Sequence, residues 1–284
     1  MKKHKLEEWI FRLIMFFSTV LIVAALLLIL VSITMKAWPA LSWEMISQVP
    51  HGGYYFGKEG GILNAIVGSL ILAFSSTFLA LLTGLPVALV LNTSLIKRKR
   101  WVYFIRYILD LLWGVPSIVY GALGFSIMIY FGLKTSLLAG IITVSIFILP
   151  IMIRAMDEVI KEVPLSLHEA SYSLGATTGE TAFLVIIRQC FPGIATAVLL
   201  SFGRAIGDAA SVLFTCGFTD FIPDSLNEPA ATLPLAIFFQ LGSPLPEVQA
   251  RAYASAFILT IIVLVISILS RIISGKLNKN KINF

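Results

Sequence analysis

The stretch SLHEASYSLGA (Ser166–Ala176) is polar and rich in small residues, yet it lies among long apolar runs and is too short to cross a bilayer. Ser166 and Glu169 have the S-x-x-E spacing of a capping box, and Gly175 stands where a left-handed residue ends a helix. Thr177 and Glu180 repeat the box and start a second helix. Between the caps, Leu167, Ala170, Ser171 and Leu174 recur at helical spacing and form one stripe of small and apolar side chains. So short a helix is marginal alone and must rest on something. Two supports are open: the ends of its own chain's helices, or a groove on a cytoplasmic partner that the small residues let approach closely.

The surroundings are those of an all-α integral membrane protein. Of 284 residues, 58% are hydrophobic and 13% charged, with a mean hydropathy of +0.94. So few charges do not cover a soluble domain of this size. Six apolar segments are long enough to span, at about 11–34, 62–91, 102–131, 136–154, 183–216 and 253–273. The first follows a basic start but exceeds a cleavable signal's apolar core and lacks a small-residue cleavage site, so a retained span is expected. Residues 1–61 then form an N-terminal span and extracytoplasmic loop, and 62–284 a five-span core that includes the cytoplasmic segment 155–182.

Lys and Arg placement sets the orientation. Sixteen of 21 fall at the termini and on one set of loops, among them Lys97-Arg98-Lys99-Arg100, Arg106, Arg154, Lys161 and Arg188. The opposite loops hold only Lys36, Lys58, Lys134 and Arg251. Both termini are therefore expected in the cytoplasm. The net charge of +6 belongs to this pattern and gives no nucleic-acid surface, because the basic residues cap apolar runs without aromatic interleaving.

Two charges fall inside span five. Arg204 and Asp208 stand four residues apart, which on a continuous helix puts them on one face. They read either as a pair that neutralises itself or as part of a translocation path, where the guanidinium's fixed fork of donors suits an oxyanion. Charges in a membrane interior are costly, and a buried pair is a poor stabiliser, so the path reading is favoured. Asp208 repels a naked anion, which implies passage rather than tight binding. Gly203 and Gly207 flank the pair and permit close helix approach. Arg106 and Asp110, also four apart, lie near the cytoplasmic end of span three and read as structural. Pro86, Pro116, Pro150 and Pro192 interrupt helices; Pro116, between Gly114 and Gly121, is either a hinge or a static kink.

Other chemistry is sparse. Cys190 and Cys216 are 26 residues apart in one apolar segment, too far to bridge on a continuous helix. His4, His51 and His168 form no metal or catalytic set. No G-x-x-x-x-G-K-[ST] occurs, so ATP hydrolysis by this chain is not expected. Residues 218–250 carry Asp220, Asp224, Glu228 and Glu247 before any basic residue, and are long for a connector. TLPLAIFFQLG within them suits either the interface or the protein interior.

EASYSLGA resembles the E-A-A-x-x-x-G motif of ABC-importer permeases, with Glu169, Ala170 and Gly175 in matching positions and Ser171 for the second Ala. That resemblance implies a coupling helix, with Glu169, Ala170, Ser171, Leu174 and Gly175 meeting an ATP-hydrolysing subunit. Arg188 stands where the motif's Pro would be, so a straighter helix base is expected. GGILNAIVGSL from Gly60, LWGVPSIVYGALG (112–124), LPIMIRAMDEVIKEVP (149–164), FGRAIGDAASVLFTCG (202–217) and ATLPLAIFFQLGSP (231–244) resemble the A-type permease subunit of phosphate-specific ABC importers. Asp208 replaces that family's usual Glu. The resemblance implies a bacterial-type cytoplasmic membrane, a homologous permease as heterodimer partner, and two copies of a cytoplasmic ATPase that bind ATP and Mg. It also implies an extracytoplasmic phosphate-binding protein, contact with lipid, and no cofactor in this chain. The rival readings are an importer of another solute (molybdate, sulfate or an amino acid) and a passive channel or scaffold without an ATPase.

Overall fold

Lipid offers no hydrogen-bond partners, so an apolar run that enters it must satisfy its own backbone as a helix. The computed structural model describes residues 2–51, 59–96 and 98–278. Lys58, Lys97, Lys279 and Lys281 of the charge pattern lie outside these, and only the backbone is described for Lys2, Lys3, His4, Lys5 and Lys276. Among the described residues there is no β-strand, only an isolated bridge between Pro50 and Gly60.

The helices are α1 (Lys2–Ala37), α2 (Trp43–Ser47), α3 (Leu63–Asn92), α4 (Lys99–Trp113), α5 (Ser117–Tyr130) and α6 (Leu137–Lys161). Then follow α7 (Leu165–Ser173), α8 (Thr178–Glu180), a π-helical segment (Thr181–Ile186), α9 (Ile187–Gly207), α10 (Leu233–Leu241) and α11 (Pro246–Asn278). Five stretches among the described residues are long and apolar enough to cross a membrane: 8–40, 63–92, 137–161, 178–207 and 246–272. The sixth apolar segment is α4 with α5, which together are long and apolar enough to cross but are bent by 94°, the shape of a broken span or a re-entrant loop. At the centre α3, α6 and α9 pack together around Leu72, Ile148, Met152, Met156, Ile186 and Ile206. α1 leans mainly on α11.

Two spans differ from expectation. Span three is not continuous over 102–131, because α4 stops at Gly114 and Pro116, extended at φ −58° and ψ 140°, starts α5. The Tyr120 hydroxyl donates to the Leu112 carbonyl at 2.8 Å, beside the Val115 N–H at 3.2 Å, and ties α5 back to the end of α4. By contrast, Pro86, Pro150 and Pro192 stay within their helices. Span five does not reach 216. Asp208 turns extended at ψ 120°, and its carboxylate accepts the Ser211 N–H at 2.8 Å. The following turns lie against α5 at Gly121, where a Cβ would stand 2.8 Å from the Ala210 carbonyl oxygen. Nor is the base of span five plain straight helix, since residues 181–186 are wound as a π-helix.

Part of 218–250 is interior. Ala230 to Ala236 are buried, the Leu233 N–H donates to Ser69 Oγ at 2.7 Å, and Asn64 Nδ2 donates to the Thr219 carbonyl at 2.5 Å. Asp220, Asp224 and Glu247 stay exposed.

At the Lys/Arg-rich end, α3, α4 and α6 are held by one carboxylate. Asp157 is fully buried. It accepts from Arg106 Nε (2.9 Å) and Nη2 (2.8 Å), from Asn92 Nδ2 (2.7 Å) and from Arg154 Nη1 (2.9 Å), with Lys161 Nζ at 3.1 Å. Arg154 Nε also lies 2.6 Å from Asp110. Arg106 and Asp110 are thus structural, but each pairs across to α6 rather than with the other.

Removing one partner from a buried ionic cluster leaves uncompensated charge and costs up to about 3–5 kcal/mol, against about 0–1 kcal/mol for an exposed pair. Asp157→Ala should therefore lower the unfolding temperature in detergent far more than Asp110→Ala, whose carboxylate is half-exposed. Equal losses would contradict the clamp.

Candidate functional site

The helix that opened the sequence reading is α7, and it starts two residues earlier than the capping box requires. Pro164, with φ −59° and ψ 135°, is its N-cap and supplies no side-chain bond. Proline leads directly into a helix because its ring fixes φ near the helical value. Ser166 therefore falls inside the first turn, and the expected Ser166–Glu169 box is not formed.

The far end follows expectation. Gly175 is left-handed at φ +84°, its N–H donates to the Tyr172 carbonyl (2.9 Å), and the Ala176 N–H donates to that of Ser171 (3.2 Å). These two bonds make a Schellman closure. The second box is present: the Thr177 N–H donates to Glu180 Oε2 (2.8 Å) and the Glu180 N–H to Thr177 Oγ1 (3.3 Å).

The stripe along α7 straddles two environments. Leu167 packs on the core, and His168 and Ser171 are buried. Ser171 Oγ lies 2.9 Å from Thr181 Oγ1, which ties α7 to the π-helical segment. Glu169, Ala170 and Tyr172 face outward, and Leu174 is 88% exposed. Both supports considered from sequence are thus in view: one face rests on the protein's own helices, and the other is open. A stripe at helical spacing does not say where its edge will fall, so Ser171 parted from Ala170.

Arg204 is exposed on α9, and its guanidinium lies 5.1 Å from the centroid of the Phe147 ring. Phe147 is near the middle of α6, which places Arg204 deep within the bundle's thickness. A Cβ built on Gly203 or Gly207 would meet nothing within 4 Å, so this face of α9 is open. Arg204 and Asp208 form no ion pair: α9 ends between them, and the Asp208 carboxylate turns to Ser211. Pro116 stands at the 94° bend. Cys190 and Cys216 are buried free thiols.

Sequence reasoning missed Asp157, Asn92 and His168. Asp157 carried a signal, lying three residues after Arg154 and four before Lys161. His168 did not, because the cavity that it lines is shared with residues of α3, α4 and α6, distant in sequence.

Residues 80–282 match the family model of the binding-protein-dependent transport system inner membrane component. The phosphate transport system permease protein PstA of Pasteurella multocida is 33% identical over 247 residues, 86% of each chain. Its counterpart in Yersinia pestis is 34% identical over 220 residues, 76% of this chain and 73% of that one. Among solved structures, an inward-facing MetNI methionine ABC transporter superposes with a TM-score of 0.63 at 20% identity, over 76% of this chain and 95% of the other. An amino acid ABC transporter with histidines gives 0.57 at 21% identity, over 76% and 93%. Both structural likenesses speak to the fold.

Burial pushes the His168 pKa below its ordinary 6.5. The unfolded chain therefore takes up this proton at higher pH than the folded one. Stability from the neutral ring is complete above about pH 6.5 and is lost as pH falls toward the folded value. In phosphate-free detergent buffer, the unfolding temperature should drop more steeply between about pH 7.5 and 5.5 in the wild type than in His168→Gln. Identical slopes would contradict a buried neutral imidazole.

Proposed function

The chain belongs to the inner-membrane components of binding-protein-dependent transport systems, and we propose that it works as the permease subunit of an ATP-driven importer of inorganic phosphate. One observation carries this reading: α7 is held on one side by His168 and Ser171 and presents Glu169, Ala170 and Leu174 on the other. A short helix seated on the bundle and bare on its outer face is suited to receive force from a cytoplasmic ATPase. The PstA relatives supply the substrate.

In this reading, residues 62–284 form the transport core, both termini are cytoplasmic, and a homologous permease subunit completes the pathway. Two ATPase copies bind ATP and Mg and carry the hydrolysis, and an extracytoplasmic binding protein that docks on the exposed acidic rim delivers phosphate. Closure of the ATPase pair moves α7, and Ser171–Thr181 passes the motion to the π-helical base of α9. Rigid-body rocking follows, with the bend at Pro116 as a hinge.

Arg204 serves the anion in passage. The Phe147 ring faces its guanidinium and takes none of its N–H donors, so the fork remains free to receive phosphate oxygens. Asp208 helps by ending α9 just beyond Arg204, which keeps the following turns off the open face.

Reconstitution with the partner subunits tests the proposal. Proteoliposomes should take up phosphate only with ATP, and sulfate, molybdate or amino acids should not compete. Arg204→Ala should cut uptake by about 10–100-fold, the loss expected for charge-assisted hydrogen bonds, while the ATPase stays bound. Glu169→Arg should instead release the ATPase. Conduction without ATP would favour a channel, and full uptake by Arg204→Ala would remove that residue from the path.

A further inference from the structure

A second anion-suited site lies away from Arg204. Where the ends of α3, α4, α6 and α7 meet there is a cavity of about 320 Å³, at the small end of the roughly 300–1,000 Å³ typical of ligand pockets. Lys99, Arg106, Lys161 and His168 line it, and no carboxylate does among the described residues. Its floor is apolar, formed by Leu91, Val102, Ile160 and Val163 among others.

Three features suit this cavity to an oxyanion. Lys99 makes no ion pair with any described residue. Arg106 gives Nε and Nη2 to Asp157 and Asn92, which leaves the donors on Nη1 without a protein acceptor. His168 is only 9% exposed, yet its ring makes no hydrogen bond with a described residue. Its ring nitrogens are not sealed off, so they stand open to the cavity and can give a hydrogen bond to an anion that enters it. Behind the wall Asp157 is engaged by Arg106, Arg154 and Lys161, and Lys161 also meets the exposed Glu158 at 2.8 Å, so Lys99 supplies the cavity's uncompensated positive charge.

We propose that this cavity binds a phosphate group, held by Lys99, Arg106, Lys161 and His168. Such a ligand bridges α4, α6 and α7 and fixes the seat of the short helix on the bundle. Two sources share this chemistry: a phospholipid headgroup whose glycerol meets the apolar floor, and free inorganic phosphate. The site is independent of what the importer carries, because the experiment reads binding and not transport.

Native mass spectrometry of the full-length chain with added phosphatidylglycerol probes the lipid source. Equilibrium dialysis against radiolabelled inorganic phosphate in lipid-free detergent probes the free ion. At least one probe should bind the wild type and lose about tenfold in affinity in both Lys99→Ala and His168→Leu, with Lys99→Arg restoring it. Lys99 is exposed, so its substitution leaves the fold intact. Loss confined to the lipid arm assigns a headgroup, and loss in the dialysis arm assigns the free ion. Binding of neither probe to the wild type, or equal binding by wild type and both variants, would overturn the proposal.

Discussion

A carboxylate with no access to solvent anchors the end of the bundle from which α7 hangs. Asp157 accepts from Asn92 on α3 and Arg106 on α4, and on its own helix from Arg154, with Lys161 beside it. An unpaired charge in this position would be far more costly than any of these pairs is stabilising. The constraint is therefore one of geometry: three helix ends must stay together for Asp157 to be tolerated. α7 follows α6 after only three residues, so it inherits that fixed position.

The same rule, that no polar backbone group goes unmet in an apolar setting, shapes each irregular segment. At the 94° bend the Tyr120 hydroxyl reaches back to Leu112. Beyond α9 the Asp208 carboxylate meets Ser211, and the turns up to Gly217 are packed against α5 and α6. The buried stretch before α10 is met by Ser69, while Asn64 holds Thr219 at the loop's start. The stretch before α10 is enclosed by the protein's own side chains, whereas Gly114 and Pro116 at the bend are exposed. The π-helical base of α9 is bonded to α7 instead, and so links the outermost short helix to the deepest charged one.

Much of this was legible in the residues. Apolar length placed five crossing helices and the bent pair, and Arg106, Arg154 and Lys161 fall together at one end of the bundle. Gly175 and the Thr177–Glu180 pair marked the close of one short helix and the start of the next, because local capping chemistry is written in adjacent residues. What failed needed information from elsewhere in the chain. Ser166 lost its cap to Pro164, a contest between two local signals. Arg204 and Asp208 looked like one face of a helix, since nothing in RAIGD announces that the turns beyond Gly207 will pack on Gly121. Arg106 and Asp110 looked like each other's partners because α6 is far away in sequence.

The exposed face of α7 is where the importer reading meets the structure, and Leu174 is its most exposed side chain. Cys190 and Cys216 are both buried, so a cysteine introduced by Leu174→Cys reports alone. Its labelling by a membrane-impermeant maleimide, from each side of sealed vesicles and with or without the ATPase subunit, reads the docking surface directly. Fast labelling from the cytoplasmic side alone, slowed severalfold by the ATPase, is the expected result. A rate that the ATPase leaves unchanged, or labelling from the opposite side, would contradict it.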